Sequence, residues 1–272
     1  MNFTKMQSLG NDYIIIDETT RSIDKSEMSR LAQKMCRRKF SVGADGIIFA
    51  RDSHEHAIEM RIFNQDGSEA EMCGNGIRCF ARYVFDENLV EEKDFEIETL
   101  AGPREVSLKE DVVRVNMGKP EWKREAVPVV GEGEFIEEEI DVQDESVKGT
   151  CVSVGNPHCV IFVENVEEAG VKELGPALET HPIFPDDINV EFVEISDEDR
   201  LKLRVWERGV GETNACGTGA CAGFAAAHRL GRCKGSVEVE LKGGTLRFEM
   251  GDEMIMKGDT QKVFKGKYLE VQ

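Results

Sequence analysis

Arg204–Phe224 reads RVWERGVGETNACGTGACAGF, and Arg61–Ala81 reads RIFNQDGSEAEMCGNGIRCFA. Aligned without a gap, the two stretches share Arg61/Arg204, Glu69/Glu212, Cys73/Cys216, Gly74/Gly217 and Gly76/Gly219, each pair 143 residues apart. A constant separation across matched residues marks an internal repeat, and one this long excludes a solenoid and points to two related halves. Gly10-Asn11 in LGNDYIII also matches Gly155-Asn156 in VGNPHCVIF, at a separation of 145. Each half thus runs Gly-Asn first and Cys-Gly-x-Gly some sixty residues later. The chain is organised around two matched thiols.

Outward from these motifs, Tyr13-Ile14-Ile15-Ile16 is an apolar run that predicts a buried strand. Met28, Leu31, Ala32, Met35 and Cys36 recur at helical spacing behind a capping-box pair, Asp24 and Glu27, and predict a helix of about four turns ending before Gly43. Gly46–Ala50 and the alternating Ala57–Phe63 read as strands. After Cys73, apolar residues point to several sides of a helix, and after Cys216 the run Ala220–Ala227 is apolar almost all round. A helix hydrophobic on every side is buried on every side, so each is expected inside a wrap of sheet. Strands for the first wrap are expected at 95–99, 105–108 and 112–117. Those for the second are expected at 151–154, 159–163, 190–194, 201–206, 237–241 and 246–250, with a tight turn at Gly243-Gly244. Gly118-Lys119-Pro120 is a plausible boundary, and the acidic segment Gly131–Ser146 reads as an exposed hairpin or loop.

At 272 residues the chain suits two ordinary domains. A net charge of −19 repels polyanions, so nucleic acid is not an expected partner. No apolar run is long enough to span a bilayer, and the first residues lack a signal-peptide layout, so no membrane partner and a cytoplasmic location are expected. The eight Cys then read as reduced thiols. They show no CxxC spacing, so no structural metal is expected, and all except Cys73 and Cys216 read as small buried side chains. His54 and His56 read as loop residues.

In CGNG (73–76) and CGTG (216–219), a Cys precedes a glycine-rich turn that opens a helix. Unpaired N–H groups and the positive dipole end gather there and suit a carboxylate. The same field is expected to lower a thiol pKa. Two such motifs at matched places point to one shared site, and inversion of a stereocentre is the chemistry that needs two equivalent thiols. One base takes the α-proton from one face, and an acid returns a proton to the other.

At these residues the chain resembles the diaminopimelate epimerase family, through LGNDYIIID (9–17), RIFNQDGSEAEMCGNGIRC (61–79), GNPHCV (155–160) and RVWERGVGETNACGTGACA (204–222). The resemblance implies cofactor-independent conversion of LL- to meso-diaminopimelate, on the lysine pathway, with Cys73 and Cys216 as the acid/base pair. It implies that Gly74, Asn75, Gly217 and Thr218 hold the reacting carboxylate. Asn11, Asn64, Asn156, Asn189, Glu207 and Arg208 would hold the rest of the substrate, with Arg208 bidentate on the distal carboxylate. His158 and Glu207 would tune the thiols. The implied α+β fold has two homologous pseudo-symmetric domains, each a sheet wrapped round a central buried helix. The first would span 1–118, joined by a final strand at about 263–272, and the second 119–262. The resemblance leaves a homodimer open.

Gly46 follows VGAD (42–45), where some relatives carry Gln, which leaves that corner of the site in question. The nearest rival is a proline or hydroxyproline racemase or epimerase of the same superfamily, whose members tend to carry His where this chain has Asn75. A ring substrate gives Arg208 no distal carboxylate to hold. A rival of another class is a thiol redox or metal-binding protein, which the absence of CxxC spacing disfavours. A pyridoxal enzyme needs a Schiff-base Lys, and neither thiol motif contains one.

Overall fold

The computed structural model of the chain describes residues 1–20, 23–143 and 145–269. It forms two compact units, Met1–Asn116 with the segment from Lys257 onward, and Met117–Met256. The first unit opens with the hairpin β1 (Asn2–Ser8) and β2 (Asn11–Asp17), followed by α1 (Lys25–Met35), β3 (Gly46–Arg51), β4 (Ile58–Asn64) and the short β5 (Glu69–Ala70). Helix α2 (Gly74–Asp86) and the meander β6 (Asp94–Glu98), β7 (Arg104–Lys109) and β8 (Val112–Asn116) complete this run.

Strand β2 lies antiparallel to β1 and parallel to β3, with Tyr13 opposite Gly46, and β3 lies antiparallel to β4. Strand β4 runs parallel to β6. The sheet is covered on both faces, which explains the unbroken apolar run in β2. Ile14 and Ile16 pack with Met28, Leu31 and Met35 of α1, while α2 is touched by β1, β2, β3, β4, β7 and β8. In α2 every residue from Gly74 to Ala81 is buried. Helix α1 makes three turns, one fewer than its spacing suggests, because Cys36 caps it. Asp24 accepts from the Glu27 N–H, but the Glu27 carboxylate turns to Arg30, so only half of the capping box forms.

The second unit repeats this order. Its strands are β9 (Glu138–Val142), β10 (Glu145–Ser153) and β11 (Pro157–Val163), then, after α3 (Val171–Glu179), β12 (Asn189–Asp197), β13 (Arg200–Glu207) and β14 (Gly211–Thr213). Helix α4 (Gly217–Arg229) and the hairpin β15 (Ser236–Leu241) and β16 (Gly244–Met250) follow. Strand β11 is parallel to β12, β12 antiparallel to β13, and β13 parallel to β15, as for β2, β3, β4 and β6. Helix α4 is touched by β10, β11, β12, β13, β15 and β16, and Gly219–Ala227 is buried throughout. In each unit the strands wrap a buried helix, which is the expected architecture.

Several details differ from expectation. The turn between β15 and β16 consists of Lys242 and Gly243, with Gly244 already paired to Leu241. The acidic segment holds the expected hairpin, β9 paired antiparallel to the start of β10, but it is not wholly exposed, because Ile140 and Val142 enter a core with Phe135 and Cys151; its Asp144 lies outside the described residues. Helix α3 carries Gly175 and Pro176, which conceal it in the sequence. Strand β17 (Met254–Asp259) leads to β18 (Gln261–Lys267), which pairs with β1. The final strand therefore begins at Gln261, before the expected 263, and the expected end near Val271 lies outside the described residues. Among the described residues, no helix is long and apolar enough to cross a membrane.

Candidate active site

Cys73 and Cys216 are the N-cap residues of α2 and α4, each extended (φ −141° and −115°). Gly74 and Gly217 open the helices. Each thiol also lies near the Gly-Asn turn of its own unit, where Gly10 and Gly155 take positive φ (81° and 104°) that glycine adopts without steric cost.

In the first unit, the Tyr13 hydroxyl lies 3.0 Å from the Cys73 sulfur and donates to Asn11 Oδ1. Asn75 Nδ2 reaches the same Asn11 oxygen at 3.5 Å, and Asn11 Nδ2 donates to Asp45 at 2.8 Å. Burial, then the adjacent Cys73 sulfur, push the Tyr13 phenol well above its ordinary pKa, so it stays a neutral O–H. Tyr13 has one hydrogen and two acceptors within reach. When Cys73 is a thiol, its S–H can donate to the tyrosine oxygen. When Cys73 is a thiolate, the tyrosine must donate to it instead.

Beneath this cluster the fully buried Arg78 donates to Gly74 O (2.9 Å), Asn75 Oδ1 (2.8 Å) and Ser8 Oγ (2.7 Å). This buried guanidinium thus fixes the backbone and side chain of the CGNG turn. Asn64 stands apart from this cluster, exposed at the end of β4 with its carboxamide on Ser68. At Gly46 a Cβ would stand 2.7 Å from Phe63 O, so this backbone admits no side chain where some relatives carry Gln.

In the second unit, the Cys216 sulfur accepts the Gly219 N–H at 3.4 Å and lies 3.4 Å from Thr218 Oγ1. Asn156 Nδ2 donates to Thr218 Oγ1 (3.3 Å), and Asn156 Oδ1 meets His158 Nε2 (2.9 Å). His158 Nδ1 lies 2.7 Å from Glu191 Oε1, both side chains fully buried. Asn189 donates to Pro157 O and accepts the Arg208 N–H, while the Arg208 guanidinium is tied to Asp186 O at 2.8 Å. Glu207 accepts from the Thr213 hydroxyl.

The expected lowering of thiol pKa by the helix terminus fails at Cys216. Burial, then the charge of Glu207, push this thiol well above the ordinary value, against the pull of Thr218 and the Gly219 N–H. The helix-end field is a fraction of a charge, whereas loss of solvent acts on the whole charge. Among the other cysteines, Cys233 is half-buried rather than buried.

The comparisons with known proteins identify the family. The family model described as diaminopimelate epimerase matches residues 3–123 and 150–263. This chain belongs to the diaminopimelate epimerase family. Diaminopimelate epimerase of Moorella thermoacetica is 46% identical, over 98% of this chain and 99% of its own. That of Methanothermobacter thermautotrophicus is 47% identical, over 97% of each. Among solved structures, a Bacillus anthracis phenazine biosynthesis protein of the PhzF family superposes with a TM-score of 0.71 at 20% identity, covering 99% of both chains. A hydroxyproline epimerase from Agrobacterium vitis reaches 0.70 at 13% identity, covering 98% of this chain and 90% of its own. At those identities the two structures speak to the fold alone.

Three residues of this candidate site escape the sequence reading. Tyr13 sits where His158 sits in the second Gly-Asn echo, so the repeat contained the signal. Glu191 hides in an ordinary strand pattern, and Arg78 in a run read only for its apolar residues.

Proposed function

We propose that the chain epimerises LL-2,6-diaminopimelate to the meso form by proton transfer at one α-carbon, with Cys73 and Cys216 as the two bases. The observation that carries this is the repeated arrangement itself. In each unit of a chain belonging to this family, a Cys caps a buried helix with a glycine-rich first turn, beside the Asn of a matched Gly-Asn turn. One sulfur, as thiolate, removes the α-proton, while the other, as thiol, delivers its proton to the opposite face. In the reverse direction the roles exchange.

Charge builds on the substrate carboxylate as the α-carbon loses its proton, so donors aimed there lower the barrier most. The first-turn N–H groups of α2 and α4, with Asn75 and Thr218, supply them. Asn11, Asn64, Asn156, Asn189, Glu207 and Arg208 hold the rest of the molecule, Arg208 taking the distal carboxylate. Tyr13 follows the charge on Cys73, donating to the sulfur when it is a thiolate. His158 supports Cys216 through Asn156. We assign no cofactor to the reaction. A place in lysine biosynthesis and a cytoplasmic enzyme acting on this small molecule, as a homodimer or a monomer, complete the reading.

Proton exchange tests it. In deuterated water with LL-diaminopimelate, the wild type should incorporate deuterium at the α-carbon with inversion, and Cys73→Ala and Cys216→Ala should each abolish turnover. Exchange with proline or hydroxyproline but not with diaminopimelate would keep the two-thiol mechanism and overturn the substrate. Undiminished turnover in either variant would overturn the two-base assignment.

A further inference from the structure

Glu191 lies on β12 beneath the first turn of α4, so close that a Cβ on Gly219 would stand 2.8 Å from its Oε1. From it an unbroken line of contacts leads to the thiol. Glu191 Oε1 is 2.7 Å from His158 Nδ1, His158 Nε2 is 2.9 Å from Asn156 Oδ1, Asn156 Nδ2 is 3.3 Å from Thr218 Oγ1, and that oxygen is 3.4 Å from Cys216 Sγ. The first unit is built differently at the same place. The side chain facing the matched Gly76 from β3 is Ile48, and Tyr13 touches its cysteine directly.

We propose that Glu191 is a positioning residue for Cys216: by donating a hydrogen to His158 it fixes the sense of this line, so that the Thr218 hydroxyl points its hydrogen at the Cys216 sulfur. The inference rests on reading Cys216 as a reacting thiol. Its logic is donor counting. The Asn156 carbonyl oxygen can only accept, so His158 must carry its hydrogen on Nε2. A ring charged on both nitrogens would face a Glu191 carboxylate, whereas in the neutral ring Nδ1 is a lone pair and Glu191 is the donor, as a carboxylic acid; we infer the second state. Two observations agree. Among the described residues Glu191 Oε2 is buried without a hydrogen-bond partner, tolerable for a carbonyl oxygen and costly for half of a carboxylate. Burial also holds the Glu191 carboxyl above its ordinary pKa. Asn156 then donates from Nδ2 to the Thr218 oxygen, which leaves the Thr218 hydrogen for sulfur. Were His158 to carry its hydrogen on Nδ1, Asn156 would turn over and Thr218 would donate to it, and Cys216 would lose its side-chain donor.

Two substitutions of similar size separate this from mere packing. Glu191→Gln keeps a donor for Nδ1, whereas Glu191→Met keeps the volume and offers none. Both remove the carboxyl group, so their difference reports the donor alone. Imidazole nitrogen NMR should find His158 with hydrogen on Nε2 in the wild type and in Glu191→Gln, and populate the Nδ1–H form in Glu191→Met. Alkylation of Cys216, followed by mass spectrometry below its titration midpoint, should be about threefold to tenfold slower in the Met variant than in the Gln variant, the loss of up to one hydrogen bond to a charged group. In a Thr218→Val background that difference should vanish. Equal alkylation and the same tautomer in both variants would overturn the proposal. So would an Nδ1–H tautomer or a doubly protonated ring in the wild type, either of which decides the matter even if Glu191→Met does not fold. No readout requires turnover. An enzyme that behaves as expected here yet exchanges no α-proton would refute the epimerase reading and leave the hydrogen-bond line standing.

Discussion

Tyr13 and His158 hold the same position in their two halves: each lies two residues after the asparagine of a Gly-Asn turn, and each is bonded to that asparagine's carboxamide oxygen. The repeated backbone thus carries two different polar groups beside two like thiols. A phenol kept neutral by burial has one hydrogen to place, while an imidazole has two nitrogens to fill.

Tyr13→Phe should remove the donor that follows the charge on Cys73 while leaving the fold in place. We expect kcat to fall about tenfold or more, the equivalent of ~1.4 kcal/mol in the barrier. The cost in stability should be about 1 kcal/mol, since Asn11 keeps its bonds to Asn75 and Asp45. Steady-state kinetics with a thermal melt on the same sample check both, and an unchanged kcat would remove Tyr13 from the reaction.

The repeat also pairs Arg61 with Glu69 and Arg204 with Glu212. Arg61 Nε lies 2.6 Å from Glu69 Oε1 and Arg204 Nε 2.8 Å from Glu212 Oε1, all four side chains largely buried. A lysine joins each, Lys25 on Glu69 and Lys242 on Glu212. These clusters fasten β5 to β4 and β14 to β13 just before the helix-capping cysteines. Glu212→Gln should cost about 2 kcal/mol, because it leaves Arg204 and Lys242 without their counter-charge. Denaturant titration measures this, and a loss below about 0.5 kcal/mol, the scale of an exposed pair, would show that solvent already screens it.

Gly219 and Gly76 are matched in sequence but not in what they face. A methyl on Gly219 would collide with the Glu191 carboxyl at 2.8 Å, while one on Gly76 would meet the flexible ends of Ile62 and Ile48 at 3.2 and 3.3 Å. Gly219→Ala should therefore lose about 2 kcal/mol despite the better helix propensity of alanine, and Gly76→Ala less than half of that. Parallel melts of the two variants decide it, and equal losses would contradict the contact with Glu191.

Arg208→Ala tests the proposed contact with the distal carboxylate. Among the described residues the guanidinium is tied only to backbone carbonyl oxygens of Asp186 and Asp187, so its loss leaves no buried charge unpaired. We expect KM for diaminopimelate to rise about a hundredfold, the scale of a lost charge-assisted bidentate contact, with the melting temperature nearly unchanged. An unchanged KM would place the distal carboxylate elsewhere.

How much of this is legible in the chain follows from what burial does to pattern. The helices after Cys73 and Cys216 are readable because a helix inside a sheet has no polar face to dilute its apolar run, and β2 is readable for the same reason. Strand β1 is not, because Thr4 and Lys5 are buried within it, Lys5 paired to Asp12. Helix α3 is masked by Pro176 and by Gly175, where a Cβ would stand 2.7 Å from the Trp206 ring. At the site, the thiols and asparagines repeat and so declare themselves. Glu191 faces the matched glycine where the first half has Ile48, and a broken symmetry leaves no echo to find.

The pH dependence of stability combines two sets of shifted groups with opposite signs. Burial works to raise Glu69 and Glu212, but Lys25 with Arg61, and Lys242 with Arg204, outweigh it and hold both carboxyls below the ordinary value. A depressed carboxyl contributes stability above its unfolded pKa and loses it as pH falls through the folded one, so acid should weaken the fold below about pH 4.5. The thiols act at the other end. Burial pushes Cys36 and Cys79 to about 12 and Cys233 to about 11, and raises Cys151 and Cys216 as well. A raised group's contribution is fully present below its unfolded pKa and is lost as pH rises toward the folded one, so stability should decline above about pH 9, where the unfolded chain releases thiol protons that the folded chain keeps. Denaturant unfolding under reducing conditions should show a plateau between about pH 5 and pH 8 with losses on both sides. Replacing Cys36 or Cys79 with Ala should flatten the alkaline limb and leave the acid limb unchanged. An alkaline limb of the same slope in both variants would assign that loss to groups other than the buried thiols.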